Sequence, residues 1–165
     1  MITRFDHAVV AVRDLAEASA RFRGLGFDVE PGGEHPGLGT HNALIRFGLD
    51  YIELIAVNDV EAARSRGLGT GVLVDLLERG EEGLVGFALA TDGIEAEAER
   101  VRRIVPGTVG PLAMNRRTPL GELLGWRLLI RAVRRCSGAG PSSSNGMPAT
   151  RSGQAPCAAA STSCR

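Results

Sequence analysis

Short apolar stretches recur along this chain, and glycine, proline and aspartate separate them. FDHAVVAV, Phe5–Val12, has the composition of a strand. Asp14 stands where a helix cap belongs, and Leu15, Ala18 and Phe22 then fall on one face of a helix over Leu15–Leu25. Gly24 and Gly26 break it. Phe27–Glu30 reads as a short strand and Pro31–Thr40 as a Gly/Pro loop. HNALIRF, His41–Phe47, alternates as a strand, Gly48-Leu49-Asp50 makes a turn, and YIELIAV, Tyr51–Val57, follows as the hairpin partner.

Two short helices, Asp59–Arg66 and Val72–Arg79, come next. GFALAT, Gly86–Thr91, reads as a strand, and Asp92 is placed to cap a helix over Ile94–Ile104. Pro106-Gly107 ends that helix, and Thr108–Leu112 and Leu123–Ile130 have strand character. The halves match: VVAVRDLAEASARFRGLGFDVEPG and ALATDGIEAEAERVRRIVPGTVGP are each strand, aspartate, Ala/Glu/Arg helix, glycine and strand. Such self-similarity predicts two β-α-β-β-β modules sharing a cleft, because neither module buries its sheet face alone. The expected architecture is α+β, with paired modules forming a cupped mixed sheet. Module one covers residues 3–57, the linking helices 58–84, and a partial module two 85–130.

Charge refines this picture. All 19 acids lie before residue 131 beside 14 arginines, a net of −5 for the body, and lysine is absent. With no basic stripe, nucleic acid is not an expected partner. No apolar run approaches a membrane span, and the N-terminus has no signal-peptide pattern, so a cytoplasmic location is expected. Cys136, Cys157 and Cys164 fit no zinc spacing. The glycine-rich run at Arg66–Gly71 lacks the strand and Lys-Ser/Thr of a phosphate loop and reads as a linker.

The chemistry centres on Glu53, a carboxylate inside an apolar strand. Burial of that group demands a partner, a hydrogen bond or a metal; Arg46 and Arg127 are candidate counterions. His41 is expected to share a cleft-facing side with Ala43, Ile45 and Phe47, with Asn42, Leu44 and Arg46 pointing away. His35 falls in the Gly/Pro loop and is expected to be exposed. Trp126 is expected in the core or lining the cleft.

With His in the first strand (DHAVV) and Glu in the fourth (YIELI), the paired repeat resembles the vicinal oxygen chelate superfamily. GLGTHNALIRFG, YIELIAV, GFALATD and GELLGWRL further resemble bacterial glyoxalase-like domain proteins. The resemblance implies an eight-stranded cup whose concavity holds a divalent metal (Zn, Mn, Ni or Fe), with His7 and Glu53 as ligands and Glu53 also the candidate base. It implies a small-molecule substrate met by His41, Phe47, Tyr51, Trp126 and Arg127, lyase- or isomerase-type chemistry, and a homodimer. A metal-free binding protein, or an inactive chain, is the alternative. The second module departs from the pattern: its counterpart of His7 is Phe87 or a neighbour, and its fourth strand is missing.

Residues 131–165 are rich in Ser, Ala, Arg and Pro and read as a disordered or out-of-frame tail. Pro141–Pro148, back-translated and read one base earlier, allows Pro-Phe-Phe-Ile-Glu-Trp-Asp-Ala. That peptide resembles a fourth-strand motif of the same family, and it points to a frame shift near residue 130.

Overall fold

The computed structural model describes residues 1–65, 69–131 and 159–164. The first module is β1 (Ile2–Ala11), α1 (Leu15–Gly24), β2 (Glu30–His35), β3 (Thr40–Phe47) and β4 (Asp50–Val57). Helices α2 (Val60–Ser65) and α3 (Thr70–Glu78) lead to β5 (Gly83–Thr91), α4 (Ile94–Ile104), β6 (Thr108–Arg117) and β7 (Leu123–Arg131). These seven strands form one curled mixed sheet. An eighth, β8 (Ala159–Cys164), gives the closed order β1-β4-β3-β2-β6-β7-β8-β5. β1 lies parallel to β4 and antiparallel to β5, so the two modules meet along β1 and β5.

β8 is the one element described within the 131–165 stretch. It runs parallel to β5 and antiparallel to β7. Both neighbours offer a free row of backbone N–H and C=O groups, and pairing with those rows needs no side-chain anchor. Pro141–Pro148, Cys136 and Cys157 lie outside the described residues, as does the start of the 66–71 linker.

Local chemistry explains most boundaries. Asp14 caps α1, its carboxylate accepting from the backbone N–H of Ala16 at 2.8 Å and of Glu17 at 2.9 Å. Asp92 does not cap α4: the N-cap is Gly93, whose N–H donates to Thr91 Oγ1, and Asp92 instead pairs with the N-terminal ammonium at 2.8 Å. The stretch expected as a Gly/Pro loop is largely strand. β2 pairs with β3 from Glu30 opposite Leu44 to His35 opposite Thr40, with a bulge at Pro31/Gly33 that accommodates the proline.

The main core lies between the sheet and α1. Val12, Val29, Ala43, Ile45, Leu54 and Ala56 are buried there, with Leu15, Ala18 and Phe22 of α1 packed on them. A smaller cluster of Ile94, Ala98 and Leu129 lies under α4. Helices α1 and α4 therefore cover the outer face of the sheet with apolar side chains, and the inner face is left for polar groups.

Candidate functional site

Strand alternation carries β4 inward at Tyr51 and Glu53 and outward at Ile52, Leu54 and Ala56, the latter three packing in the α1 core. β1 pairs in parallel with His7 opposite Tyr51 and Val9 opposite Glu53, so His7 shares the inner face. His7 and Glu53 do meet: Nε2 of His7 lies 3.5 Å from Oε2 of Glu53. Tyr51 stacks on the His7 ring with centroids 4.5 Å apart. The expected arginine counterions are elsewhere. Arg46 pairs with Glu30 and Arg127 with Glu95.

Three further inner-face groups complete the cluster. Asn42 donates from Nδ2 to Glu53 Oε1 at 2.5 Å. His35 places Nε2 3.8 Å from that same oxygen, while its Nδ1 is 2.9 Å from Thr40 Oγ1. On the other side His7 Nδ1 is 2.9 Å from Asp6 Oδ2, and Arg4 grips Asp6 Oδ1 at 2.6 Å. His7, His35, Asn42 and Glu53 are all at least nine-tenths buried.

The Asp6–Arg4 ion pair keeps Asp6 an acceptor, so the proton between Asp6 and His7 sits on Nδ1. Nε2 of a neutral His7 then presents its lone pair to a carboxylate oxygen. That contact is unfavourable unless a positive charge lies between the two atoms, either a proton on Nε2 or a metal ion. The separation equals the length of one ligand–ligand edge around a metal, since metal–ligand distances of 2.0–2.2 Å give edges of about 3.0–3.5 Å. An Asp-held imidazole is also the usual outer support of a metal-bound histidine. The contact supplies one imidazole and one carboxylate; among the described residues no group of three His, Cys, Asp or Glu is placed to hold a metal ion.

Asn42 carries a second signal. With Nδ2 committed to Glu53, its buried Oδ1 has no hydrogen-bond partner. It lies against Gly32, where an added Cβ would come 2.0 Å from Oδ1 and 2.9 Å from Nη1 of Arg116. Arg116, buried, donates to the Gly32 carbonyl at 2.5 Å. Any side chain at position 32 would therefore collide with both the amide and the guanidinium.

The remaining expected site residues divide. Met114 faces Trp126 across β6 and β7, on the same side as Arg116, which places half-buried Trp126 on the inner face. Arg127 points outward to Glu95 of α4. His41 and Phe47 are also outside, reversing the expected orientation of β3. His41 lines an outer groove of about 380 Å³ with Leu15, Ser19 and Arg23. Phe47 is 54% exposed and meets Phe27 edge-on at 6.2 Å. His35, Asn42 and Asp6 were not anticipated. Alternation placed Asn42 opposite His41 correctly, but the faces were exchanged, because the larger apolar set packs against α1 rather than into the cup.

Among the described residues, the second module shows no donor at the positions equivalent to His7 and Glu53. The repeat carries His7 onto Gly86, and Ala88 lies directly opposite His7 across β1 and β5. Ser161 holds the register position on β8 that Glu53 holds on β4.

Burial holds the His35 imidazole below its ordinary value of 6.5, against the opposing pull of Glu53, with Arg116 and His41 adding to the lowering. Above pH 6.5 the ring is neutral whether folded or unfolded. Below it the unfolded chain takes up a proton that the fold resists, so stability falls until the lower folded value is passed. Chemical denaturation of chelator-treated protein at pH 7.5 and 5.5 checks this. His35→Gln is expected to lose less stability on acidification than the parent, by up to about 1.4 kcal/mol per pH unit. Equal losses would refute it.

Comparison with known proteins agrees with this architecture. Residues 5–141 match the profile described as glyoxalase-like domain. No curated protein sequence matches. A hypothetical protein from Staphylococcus aureus superposes with TM-score 0.65 at 29% identity over 76% of this chain, which spans about half (51%) of that longer protein. Methylmalonyl-CoA epimerase from Streptomyces coelicolor, in complex with 2-nitronate-propionyl-CoA, superposes with TM-score 0.64 at 18% identity over 99% of this chain and 98% of its own. A hypothetical protein from Bacillus halodurans gives 0.62 at 13% over 98% and 94%. No helix among the described residues is long and apolar enough to cross a membrane. The profile match takes in both modules of the repeat, and the chain accordingly belongs to the glyoxalase-like domain family, on the vicinal oxygen chelate fold.

Proposed function

We propose that this chain binds a divalent cation (Zn, Mn, Ni or Fe) between His7 and Glu53 and acts on a small oxygenated substrate by isomerisation, lyase chemistry or proton transfer. One observation carries the reading: a histidine whose Nδ1 is held by Asp6 faces a buried carboxylate at 3.5 Å. Bound there, a cation would polarise a carbonyl or enolate oxygen. The chain's own residues supply the rest. Asp6 and Tyr51 fix the His7 ring, and Asn42 holds Glu53 through Oε1. Glu53 is the candidate proton acceptor, and Trp126 gives an apolar wall for the substrate body. The fold shared with methylmalonyl-CoA epimerase, one structure of which is a complex with methylmalonyl-CoA and NH4+, supports proton transfer as the reaction type.

A thermal melt of chelator-stripped protein tests this. Mn²⁺, Ni²⁺ or Zn²⁺ at about 100 times its dissociation constant is expected to add about 2.7 kcal/mol of stability. His7→Ala is expected to lose that increment. An unchanged melting temperature with every cation, in the parent protein, would sink the reading.

A second reading, a metal-free small-molecule binding protein, is favoured by Gly86 and Ala88, which leave the second module without a donor opposite His7. It predicts ligand affinity that survives His7→Ala. The wider reading also includes a cytoplasmic homodimer, checked by sedimentation velocity, and the frame shift near residue 130, checked by resequencing the gene across codons 125–165.

A further inference from the structure

On the outer face of the sheet, Glu34 stands between two basic side chains and pairs with neither. The β2–β3 register sets it directly opposite His41, and the β2–β6 register sets it opposite Arg117. Directly opposed positions share a face with Cβ atoms about 5 Å apart, within reach of an ion pair. Arg117 instead donates to the Gly121 carbonyl at 2.8 Å, and among the described residues neither Glu34 nor His41 makes an ion pair. Glu30, Glu78 and Glu81, by contrast, each hold an arginine. Arg23 is a third group of this kind. It donates to the Val29 carbonyl at 2.7 Å and makes no ion pair among the described residues.

Arg23, Glu34 and His41 all line the outer groove of about 380 Å³ between α1 and strands β2 and β3, a volume that suits a small molecule. Leu15, Ser19 and Arg23 recur every four residues and form the helical wall. Charge is spread along the groove. Pro31 opposite Ala43 marks the end near Val29 and Arg23, and Glu34 opposite His41 marks the other end. Ala43 to His41 spans about 7 Å of strand, and Arg23 back to Leu15 about 12 Å of helix. The rest of the lining is largely apolar, with Leu15, Ala16, Pro31 and Ala43.

We propose that this outer groove binds a small zwitterion whose ammonium and carboxylate are several bonds apart. The carboxylate sits on Arg23, whose guanidinium carries five donors and spends one on Val29. The ammonium sits on Glu34, with a ring nitrogen of half-buried His41 as a second acceptor. The methylene body lies along Leu15, Ala16 and Ala43. A ligand with both charges satisfies both ends at once, and a ligand with one charge leaves the other end unmatched. The site goes beyond the cation reading and is independent of it, because it lies across the sheet from Glu53: β3 turns Asn42 inward to Glu53 and His41 outward to the groove.

Isotope-labelled full-length protein is titrated with ε-aminocaproate and followed by its backbone amide shifts. Saturable shifts are expected at Ser19, Arg23, Glu34 and His41, with a dissociation constant near about 1 mM. Glycine, too short to span the groove, and caproate and hexylamine, with one charge each, are expected to bind about 10-fold more weakly. Arg23→Gln is expected to weaken ε-aminocaproate and caproate but not hexylamine. Glu34→Gln is expected to weaken ε-aminocaproate and hexylamine but not caproate. The ranking of the four probes in the parent protein depends on no variant folding. Glycine, caproate or hexylamine binding within about threefold of ε-aminocaproate overturns the proposal. So do shifts centred on Tyr51 and Glu53, which would put the ligand on the inner face. The absence of saturable shifts up to about 100 mM overturns it as well.

Discussion

Gly33→Ala is expected to destabilise the fold by more than about 4 kcal/mol, the range reserved for backbone collisions and buried defects. Gly33 has φ +129, a conformation that side-chain-bearing residues rarely adopt, and a Cβ there would lie 1.9 Å from the Arg117 carbonyl oxygen. The obstacle is backbone, so no rotamer change relieves it. That carbonyl belongs to β6, and the pairing of Glu34 with Arg117 is where β2 meets β6 and the two modules join on this side of the ring. Gly26→Ala is the control. Its φ is +91 but nothing lies within 4 Å of its Cβ, so only the local conformational cost of about 1–2 kcal/mol applies. Urea denaturation of both variants decides the matter. Equal losses would show that the seam between β2 and β6 yields freely.

Glu53→Gln is expected to separate binding from folding. The amide oxygen still accepts from Asn42, so stability without cation should change by no more than about 1 kcal/mol. Removing a buried charge also removes its desolvation cost, which works against any loss. On the proposed cation-binding reading, binding should fail, because Glu53 supplies the carboxylate that faces His7. The expected result is a normal urea midpoint in chelator and no shift in melting temperature with Mn²⁺, Ni²⁺ or Zn²⁺. A Glu53→Gln protein still stabilised by any of these cations would remove Glu53 from the site.

Much of this arrangement was legible in the residues. The repeat predicts two modules, Asp14 its helix, and the carboxylate amid YIELIAV a buried polar partner, which the structure supplies as Asn42. The pairing of His7 with Glu53 followed from resemblance and agrees with the 3.5 Å contact. Three things were not legible, each for a physical reason. Alternation shows which residues share a face but not which face is inside. In β3 the aliphatic set, Ala43 and Ile45, covers α1, so His41 went outward with it and Asn42 inward. Pro31, Gly32 and Gly33 are strand breakers in isolation and predict a loop where β2 lies, yet the bulge and pairing with β3 override them. That misreading concealed His35, which a loop would have exposed. The strand β8 carries no apolar alternation, since it is built of Ala, Ser, Thr and Cys, and its partners β5 and β7 lie far away in sequence.

The position of β8 has a kinetic consequence. Its parallel pairing with β5 joins Gly86 to Ala159, a long loop to close, and contacts of such wide separation form late. The first module makes its pairings within residues 2–57 and is synthesised before β5. During synthesis, then, His7, His35 and Glu53 have the opportunity to assemble while β5 and β7 still show unpaired edges. In that interval a neighbouring nascent chain competes for the place of β8, and strand exchange between chains becomes the expected failure of folding. Slower translation past β7 would lengthen this vulnerable interval.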